Sequence, residues 1–425
     1  GLFSEKGEWA AAHRLPNSGP GPACSRNCHH CGAVHGNVSG GWLARRLVAG
    51  PPSTPVEWAM NFEILGLATA LPATRLNAAD SLAVARALSQ STAEQGTWLE
   101  DVVAGSGIRT RNIALGPDLV SDLKAGTGSS RSPFLPSPDR KAGPGTAERM
   151  RHYAALAWPL AVDAVGKALD RSGIRAHEIT ELVTVSCTGF AAPGIDCRLI
   201  DQSGLPRSVN RTHVGFMGCH GALNGLRVAR GLAAAGSGAV LLVAVELCSV
   251  HYHYDTDPGH LIANSLFADG AAALVGRTVS GPPSGRWCLA SSGGYVIPDS
   301  TNAMTWTIGD TGFEMTLGRQ VPALIARHLR PWMETWLAGQ GLKIEDIATW
   351  AVHPGGPRIL DSASEALNLP ANALSASREV LADHGNMSSP TLLFILERLI
   401  SSGAPNPCVM LGFGPGLAVE AGLWR

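Results

Sequence analysis

Cys219 is the residue whose surroundings best suit nucleophilic chemistry. It lies in the segment Gly-Phe-Met-Gly-Cys-His-Gly-Ala (215–222), where a strand-like run gives way to a long helical pattern. A thiol at a helix N-terminus faces unpaired N–H groups and the positive end of the helix dipole, which favours the thiolate. The small neighbours Gly218 and Gly221 leave room for a substrate. A buried structural cysteine is the alternative, since free cysteines are often buried.

A histidine and an asparagine follow Cys219 along the chain. His353 ends a predicted strand and begins His-Pro-Gly-Gly-Pro (353–357), a rigid loop at the carboxyl end of a strand, where α/β folds place their active sites. Asn386 lies in His-Gly-Asn-Met-Ser-Ser-Pro (384–390) and is predicted to begin a helix. The alternatives are an ordinary helix N-cap for Asn386 and a structural or surface histidine for His353.

The chain order Cys, His, Asn is used by two reaction classes. Papain-like proteases share it, and the separation of 134 residues (353 − 219) would fit, but they carry Cys-Gly-Ser-Cys-Trp near the N-terminus instead of a mid-chain Gly-Cys-His-Gly. In decarboxylative condensation, a thiolate takes an acyl group from a thioester, and a malonyl thioester loses CO2 to give the attacking carbanion. The developing enolate needs hydrogen-bond donors, which a histidine and an asparagine amide provide, whereas a carboxylate would repel it.

Composition excludes several classes of protein. Of the 425 residues, 45% are hydrophobic and only 16% are charged, with a net charge of −1, which is typical of a compact globular protein. A near-zero charge without any Lys/Arg run argues against nucleic acid as a partner. The longest apolar run, 239–245, is too short to cross a membrane. The first ten residues lack a signal-peptide pattern, so we expect a cytoplasmic protein.

The elements that must position these residues alternate between strands and helices. Continuous apolar strands indicate an α/β fold with helices on both faces of the sheet. The length predicts two similar halves, 58–283 and 284–425, after a Gly- and Pro-rich tail or linker at 1–57. A breaker-rich loop is predicted at 116–147. Helices are predicted at 153–172, 219–235, 320–337 and 386–401, and strands from Asn61 and at 181–187, 239–248, 271–276, 349–353, 408–413 and 417–424.

The tail contains a separate group of possible metal ligands. Cys24, Cys28 and Cys31 have the spacing of radical-SAM iron–sulfur ligands, and three nearby histidines could bind zinc; these are His29, His30 and His35. An unstructured extension is the favoured interpretation, because no radical-SAM barrel pattern follows. No metal site is expected in this protein.

With these residues in view, the chain resembles the type III polyketide synthases, the chalcone and stilbene synthase family of the thiolase-like fold. The resemblance covers roughly residues 60 to 425. Five segments carry it: Gly-Cys (218–219), Leu-Phe-Ala-Asp-Gly-Ala (266–271), Trp-Ala-Val-His-Pro-Gly-Gly-Pro (350–357), Gly-Asn-Met-Ser-Ser (385–389) and Gly-Phe-Gly-Pro-Gly-Leu (412–417).

The resemblance implies a homodimer with a duplicated α-β-α-β-α five-layer core and a buried cavity reached by a coenzyme A tunnel. It implies that Cys219 is the nucleophile and that His353 and Asn386 promote decarboxylation of malonyl-CoA. An acyl-CoA starter would be extended repeatedly and cyclised to a pyrone, resorcinol or related polyketide. Coenzyme A thioesters would be substrates, and no cofactor is expected.

The resemblance also implies the residues around the cavity. Phe267 would be an aromatic gate, Met315 would replace a second gate phenylalanine, and Trp306, in place of a glycine, would narrow the cavity. The other predicted cavity residues are Cys187, Cys248 and His251, which stand where threonines are common, together with Ser388, Gly414 and Pro415.

The basic residues that grip coenzyme A in the family are missing from their expected positions. Trp98, Asp101 and Gly105 stand there instead. Arg109 and Arg111 are the candidate substitutes, and delivery of the starter by an acyl carrier protein is the alternative.

Three other functions compete with this interpretation. Ketosynthase III of fatty-acid synthesis shares the fold and the three residues, but it shows His-Gln-Ala-Asn and Gly-Asn-Thr-Ser where this chain has His-Pro-Gly-Gly and Gly-Asn-Met-Ser. A thiolase needs a second catalytic cysteine beside the final glycine turn, and Cys408 lies four residues before Gly412. A non-catalytic binding module would leave the three residues unused.

Overall fold

The structure, a computed structural model, describes residues 61–89, 93–236, 238–280 and 285–425. The predicted tail at 1–57, with its cysteines and histidines, and the predicted boundary between residues 283 and 284 lie outside these ranges. None of the helices that the structure describes combines the length and apolar composition needed to cross a lipid bilayer.

Residues 61–280 contain seven strands and seven α-helices within the described ranges. The strands are β1 (Asn61–Ala70), β2 (Thr74–Asn77), β3 (Thr110–Ile113), β4 (Ile179–Ser186), β5 (Asn210–Gly215), β6 (Ala239–Leu247) and β7 (Asp269–Val279). The helices are α1 (Ala78–Ser89), α2 (Ala93–Gly105), α3 (Pro117–Ala125), α4 (Thr146–Ser172), α5 (Ile195–Ser203), α6 (Gly221–Ala234) and α7 (Pro258–Leu266).

Residues 285–425 contain six strands and four α-helices. The strands are β8 (Cys288–Val296), β9 (Met304–Gly309), β10 (Gly312–Leu317), β11 (Thr349–Val352), β12 (Cys408–Gly414) and β13 (Ala418–Trp424). The helices are α8 (Val321–Ala338), α9 (Pro357–Leu367), α10 (Ser375–His384) and α11 (Pro390–Ser401).

One mixed sheet runs through both parts of the chain, in the order β11-β12-β13-β8-β1-β7-β6-β4-β5. The two parts meet where β1 pairs with β8 through Phe62–Leu289 and Glu63–Cys288. The pairs β4–β5, β4–β6 and β11–β12 are parallel. Two small antiparallel sheets, β2–β3 and the β9–β10 hairpin, lie outside the main sheet.

Alternating strand residues divide the core into three apolar layers. On β6, Leu241 and Val243 pack outward with α4, whereas Val240 and Leu242 pack inward with α6 and α11. The outer face of β12 and β13 packs against α8 and α9. Because α6 and α11 are covered from both sides, they are the central layer between two sheet regions. This confirms the predicted thiolase-like five-layer arrangement.

Three predicted elements differ clearly from the structure. The helix predicted at 153–172 begins seven residues earlier, at Thr146. The segment 116–147 was expected to be a loop, but it contains α3, which begins with Pro117 and ends at a left-handed Gly126. These residues suit the two ends of a short helix. The helix predicted from Asn386 begins four residues later, at Pro390, because Ser388 has φ +57°, outside the right-handed helical region.

Candidate active site

Cys219 lies in a tight turn between β5 and α6. A 3-10 turn covers Gly218–His220 and passes directly into the helix. Gly218 has φ +74°, and a Cβ atom at this position would lie 2.5 Å from Cδ of Pro415. Glycine therefore allows the turn to approach the loop after β12, so that the half-buried Cys219 thiol faces this loop.

His353 follows directly after β11 and is 1% exposed. Its backbone N–H donates to the carbonyl of Leu411 on β12 at 2.8 Å, which continues the parallel pairing by one residue. Among the residues that the structure describes, neither ring nitrogen has a hydrogen-bond partner of ordinary geometry. A buried imidazole with two unpartnered nitrogens is costly unless a ligand or water uses them, so His353 is poised for a substrate.

Asn386 lies in the loop between α10 and α11. Its backbone N–H donates to the carbonyl of Leu266, and its carbonyl accepts from the N–H of Ala268, both at 2.9 Å, on either side of Phe267. The side-chain Oδ1 accepts from the N–H of Ser388 at 2.8 Å. Since this bond occupies the oxygen, the amide NH2 is left to face the site as a donor.

The side chains of Cys219, His353 and Asn386 come together. Burial favours the neutral forms of both the thiol and the imidazole. Burial raises the pKa of Cys219 to about 11, and hydrogen bonds from Ser388 and Asn386 only partly oppose it. Burial also lowers the pKa of His353 to about 3, with an added contribution from His220. The expectation that the helix N-terminus would favour a thiolate is wrong for this state, because desolvation outweighs the hydrogen bonds from Ser388 and Asn386.

A cavity of about 370 Å³ of empty space opens from Cys219. Its wall includes most of the residues predicted for it: Cys187, Cys219, Cys248, Phe267, Trp306, Met315, Ser388 and Pro415. Four further residues complete the wall: Thr188, Gly218, Met304 and Thr305. Sulfur atoms and aromatic rings dominate this surface, so the cavity suits an apolar acyl chain.

The β9–β10 hairpin supplies one side of the cavity. Trp306 and Met315 are direct cross-strand partners in this hairpin. The indole N–H of Trp306 donates to the carbonyl of Cys187 at 2.7 Å, which fixes the ring against the opposite wall. Trp306 therefore takes up space on this side of the cavity, as expected for a bulky indole.

His251 and Gly414 lie behind the cavity wall rather than in it. The ring of His251 stacks on Phe313 at 4.2 Å and meets Trp306 edge-on. Both of its nitrogens are used, Nε2 by the carbonyl of Thr188 at 2.7 Å and Nδ1 by the N–H of Phe313 at 3.0 Å. The prediction that His251 lines the pocket is wrong, since its ring supports Trp306 from outside. Gly414 packs against His220.

Two sequence profiles of one family match the chain on either side of its centre. The description "Chalcone and stilbene synthases, N-terminal domain" matches residues 63–279, and "Chalcone and stilbene synthases, C-terminal domain" matches residues 289–425. The chain belongs to the chalcone and stilbene synthase family. It is therefore a polyketide-forming acyltransferase, and the family match favours this over a ketosynthase III.

Relatives of this synthase include characterised bacterial enzymes. It is 33% identical over 366 residues to 1,3,6,8-tetrahydroxynaphthalene synthase of Streptomyces peucetius subsp. caesius, covering 84% of this chain and 91% of that protein. It is 32% identical to the alpha-pyrone synthesis polyketide synthase-like Pks18 of Mycobacterium tuberculosis, covering 88% and 93%. The crystal structure of PKS-I from the brown alga Ectocarpus siliculosus superposes with a TM-score of 0.80 at 31% identity, covering 87% of this chain and 100% of that one.

A buried carboxylate organises the floor of the synthase site, and the sequence analysis did not single it out. Glu246 on β6 is fully buried. It accepts from the backbone N–H groups of Cys187 and Thr188 at 2.9–3.0 Å and from the hydroxyl of Ser389 at 2.6 Å. Burial raises the pKa of Glu246, while the hydrogen bond from Ser389 opposes this. Glu246 thus ties the end of β4 to the Asn386 loop.

A second histidine next to the nucleophile was also missed. His220 is 4% exposed, and its Nδ1 lies 2.7 Å from Oδ1 of Asn224, one helical turn later. Asn224 in turn donates to Glu420 on β13 at 3.1 Å. The ring occupies space that side chains at Gly412 and Gly414 would otherwise take. The spacing i, i+4 within Gly-Cys-His-Gly-Ala-Leu-Asn was the available signal.

The structure separates the two arginines predicted to hold coenzyme A. Arg111 is 1% exposed and donates to the carbonyls of Asn264 and Phe267 and to the hydroxyl of Ser81. Its guanidinium is buried and bonded inside the protein, so the prediction that Arg111 holds coenzyme A is wrong. Arg109 has a side chain that is 67% exposed and pairs with Asp383.

Arg109 lies in a surface groove that also contains the first residues of α9, close to His353 in the chain. The groove is lined by Ser106, Gly107, Arg109, Pro357, Leu360, Arg378, Glu379, Leu381 and Ala382. The three residues that replace the family's basic positions, Trp98, Asp101 and Gly105, are exposed on α2.

Proposed function

We propose that this enzyme is a type III polyketide synthase that grows its product on Cys219 and binds the malonyl extender through His353 and Asn386. The observation that carries the proposal is the pair of uncharged donors beside the thiol. In the described part of the chain, His353 has no ordinary hydrogen bond to either ring nitrogen, and the Asn386 amide has its oxygen fixed by Ser388. Such a pair suits an enolate oxygen.

The loading step transfers the starter from coenzyme A to Cys219. In the resting state both the thiol and the imidazole are neutral, because burial disfavours their charged forms. We infer that the thiol proton moves to His353 as sulfur attacks the thioester carbonyl. The tetrahedral intermediate then expels the coenzyme A thiolate, which takes up that proton and leaves as the free thiol.

The extension step needs donors and no strong base. Breaking the bond between the malonyl carboxylate and Cα releases CO2 and places negative charge on the thioester oxygen. The N–H groups of His353 and Asn386 stabilise that charge. The enolate carbon attacks the acyl-Cys219 thioester, and the cysteine thiolate is released. When the product returns to Cys219, the coenzyme A thiolate leaves with one proton from the medium, so each extension consumes one proton.

Cavity size and lining support a compact product. Only about 30 Å³ of the cavity space is open to a water-sized sphere, far below the 300–1,000 Å³ typical of small-molecule sites. Trp306 limits it on one side through its fixed indole. We propose a short or flat acyl starter and few extensions, closing to a pyrone, a resorcinol or a related ring.

We propose that the starter arrives as a coenzyme A thioester; delivery by an acyl carrier protein is the alternative. Arg109 is the more exposed of the two arginines in the groove beside α9 and is the candidate for the coenzyme A phosphates. The exposed Asp101 on α2 would repel both a phosphate and an acidic carrier protein. A homodimer, a cytoplasmic location and the lack of a cofactor stay predictions.

The test is incubation of the purified protein with radiolabelled malonyl-CoA and acyl-CoA starters from acetyl to long-chain, with Cys219→Ala as control. Cyclised products that disappear in the variant would support the proposal and rank the starters. A single condensation that requires a malonyl carrier protein would favour ketosynthase III chemistry instead. No CO2 release with any starter would contradict both.

A further inference from the structure

A cluster of two histidines and one aspartate lies at the start of α7, outside the cavity wall. Within residues 61–89, 93–236, 238–280 and 285–425, His253, Asp255 and His260 form the one group of three such side chains whose donor atoms all lie within 4.8 Å of one another. None of the three lines the Cys219 cavity, and nothing in the proposed condensation uses them.

The local fold brings these side chains together. Asp257 caps α7 by accepting from the N–H groups of Gly259 and His260 at 2.8 and 3.2 Å. The Asn264 side chain, further along α7, bonds to both the N–H and the carbonyl of His253, at 3.0 and 2.8 Å. The segment 253–257 is therefore folded back along the helix and held at both ends.

The donor atoms of the three side chains lie close together. The imidazole rings of His253 and His260 stack with their centroids 3.8 Å apart and their planes 8° from parallel. The Asp255 carboxylate lies 2.8 Å from Nδ1 of His260. The side chains of His260 and Asp255 are 24% and 52% exposed, so an ion can enter from solvent, while His253 is 9% exposed and forms the inner side.

We propose that His253, Asp255 and His260 bind a zinc ion. Two imidazoles and one carboxylate are a ligand set that zinc prefers, whereas calcium and magnesium prefer oxygen atoms alone. With zinc–ligand bonds of about 2.0–2.2 Å, tetrahedral donor atoms lie about 3.3 Å apart. Because the two imidazole planes are nearly parallel in the metal-free state, binding requires a ring rotation that turns one nitrogen of each histidine toward a common ion, with water as the fourth ligand.

The bound ion would tie the segment 253–257 to α7. The other end of α7 leads into Phe267, whose carbonyl accepts from Arg111 at 2.8 Å and whose side chain lines the cavity. Zinc is therefore expected to act as a structural clamp for the element that carries this cavity residue, and to raise the melting temperature of the protein. It takes no part in the chemistry at Cys219.

The experiment uses the full chain, stripped with a chelator and titrated with Co²⁺ and then with Zn²⁺. The cysteines at 24, 28 and 31 are a second possible site, so a Cys24→Ser/Cys28→Ser/Cys31→Ser variant is the background for all measurements. Ligands from His253, Asp255 and His260 give visible cobalt d–d absorption without the intense near-ultraviolet bands of cobalt–thiolate bonds. Asp255→Asn and His260→Gln remove one ligand each, and the exposed His177→Ala is the matched control.

The expected result is one equivalent of metal, a higher melting temperature with zinc, and loss of both in Asp255→Asn and His260→Gln but not in His177→Ala. Melting temperatures of the metal-free variants close to that of the parent would show that the variants are folded. Two outcomes would overturn the proposal: unchanged metal binding in both ligand variants, or no metal binding by the background protein at micromolar concentrations.

Discussion

Replacement of Asn386 separates the two functions of its amide. In Asn386→Ala, the N–H of Ser388 loses the acceptor that now lies at 2.8 Å, and the enolate loses one donor. In Asn386→Asp, the acceptor for Ser388 is kept, but the group that faces the site changes from a donor into a negatively charged oxygen. Asn386→Ala therefore loses both the acceptor for Ser388 and the donor to the enolate, whereas Asn386→Asp loses only the donor.

The magnitudes follow from these contacts. Loss of one preorganised oxyanion donor costs a factor of about 10²–10³ in rate, or about 2.7–4 kcal/mol. Asn386→Asp adds charge repulsion, which for unit charges about 4 Å apart at an effective dielectric constant of 20 is about 4 kcal/mol, roughly a further factor of 10³. The unpaired Ser388 N–H lowers the free energy of unfolding of Asn386→Ala by about 1–3 kcal/mol, and this loss is absent in Asn386→Asp.

The assay measures decarboxylation apart from loading. Release of labelled CO2 from carboxyl-labelled malonyl-CoA reports the extender step, and mass spectrometry of acyl-Cys219 reports the loading step. Urea unfolding of the same samples gives the stabilities, and the exposed Asn302→Ala is the control. Decarboxylation by Asn386→Asp that equals or exceeds that of Asn386→Ala would refute the role of Asn386 as a donor to the enolate.

Three further predictions concern the surroundings of the site. Trp306→Ala should shift the products toward longer chains, because it removes the indole fixed on Cys187, and Trp306→Phe should shift them less. Liquid chromatography with mass spectrometry measures the products, and an unchanged product profile would contradict the prediction. His220→Phe leaves Oδ1 of Asn224 unpaired and should lower the free energy of unfolding by about 1–3 kcal/mol, non-additively with Asn224→Ala in a double-mutant cycle. Burial lowers the pKa of His251 and of His353 to about 3, below the unfolded value of about 6.5. The unfolded state therefore takes up protons first as the pH falls. Each histidine should lower the free energy of unfolding by about 2 kcal/mol at pH 5 relative to neutral pH. Because glutamine can keep both hydrogen bonds of His251, His251→Gln should flatten the loss of stability between pH 6.5 and 5, and an unaltered slope would argue against this linkage.

The reactive residues could be recognised in the sequence because each is held by local backbone structure. Cys219 follows a glycine in a strand-to-helix turn, and His353 follows the last residue of a strand; both signals involve only neighbouring residues. The strand–helix alternation was also local, so the layered α/β class could be predicted. The start of α11 was misplaced by four residues because the left-handed conformation of Ser388 depends on its bond to Asn386.

The missed features depend on contacts between residues far apart in the chain. Glu246 acts on Cys187 and Ser389 across 59 and 143 residues, and no local pattern marks a buried carboxylate on an otherwise apolar strand. Arg111 looked like a surface cation, but it reaches carbonyl groups more than 150 residues away and is buried.

By itself, the sequence determined the family, since its motifs lie in local turns that also carry the thiol, imidazole and amide proposed as nucleophile and enolate donors. It also determined the apolar strands that build the core. The tertiary structure decided the charge states and the shape of the site. Desolvation by surrounding layers keeps Cys219 and His353 neutral. The cross-strand pairing of Trp306 with Met315 sets one wall, while His251 is placed behind it. Burial and shape are sums over many distant neighbours, and only the folded chain brings those neighbours together.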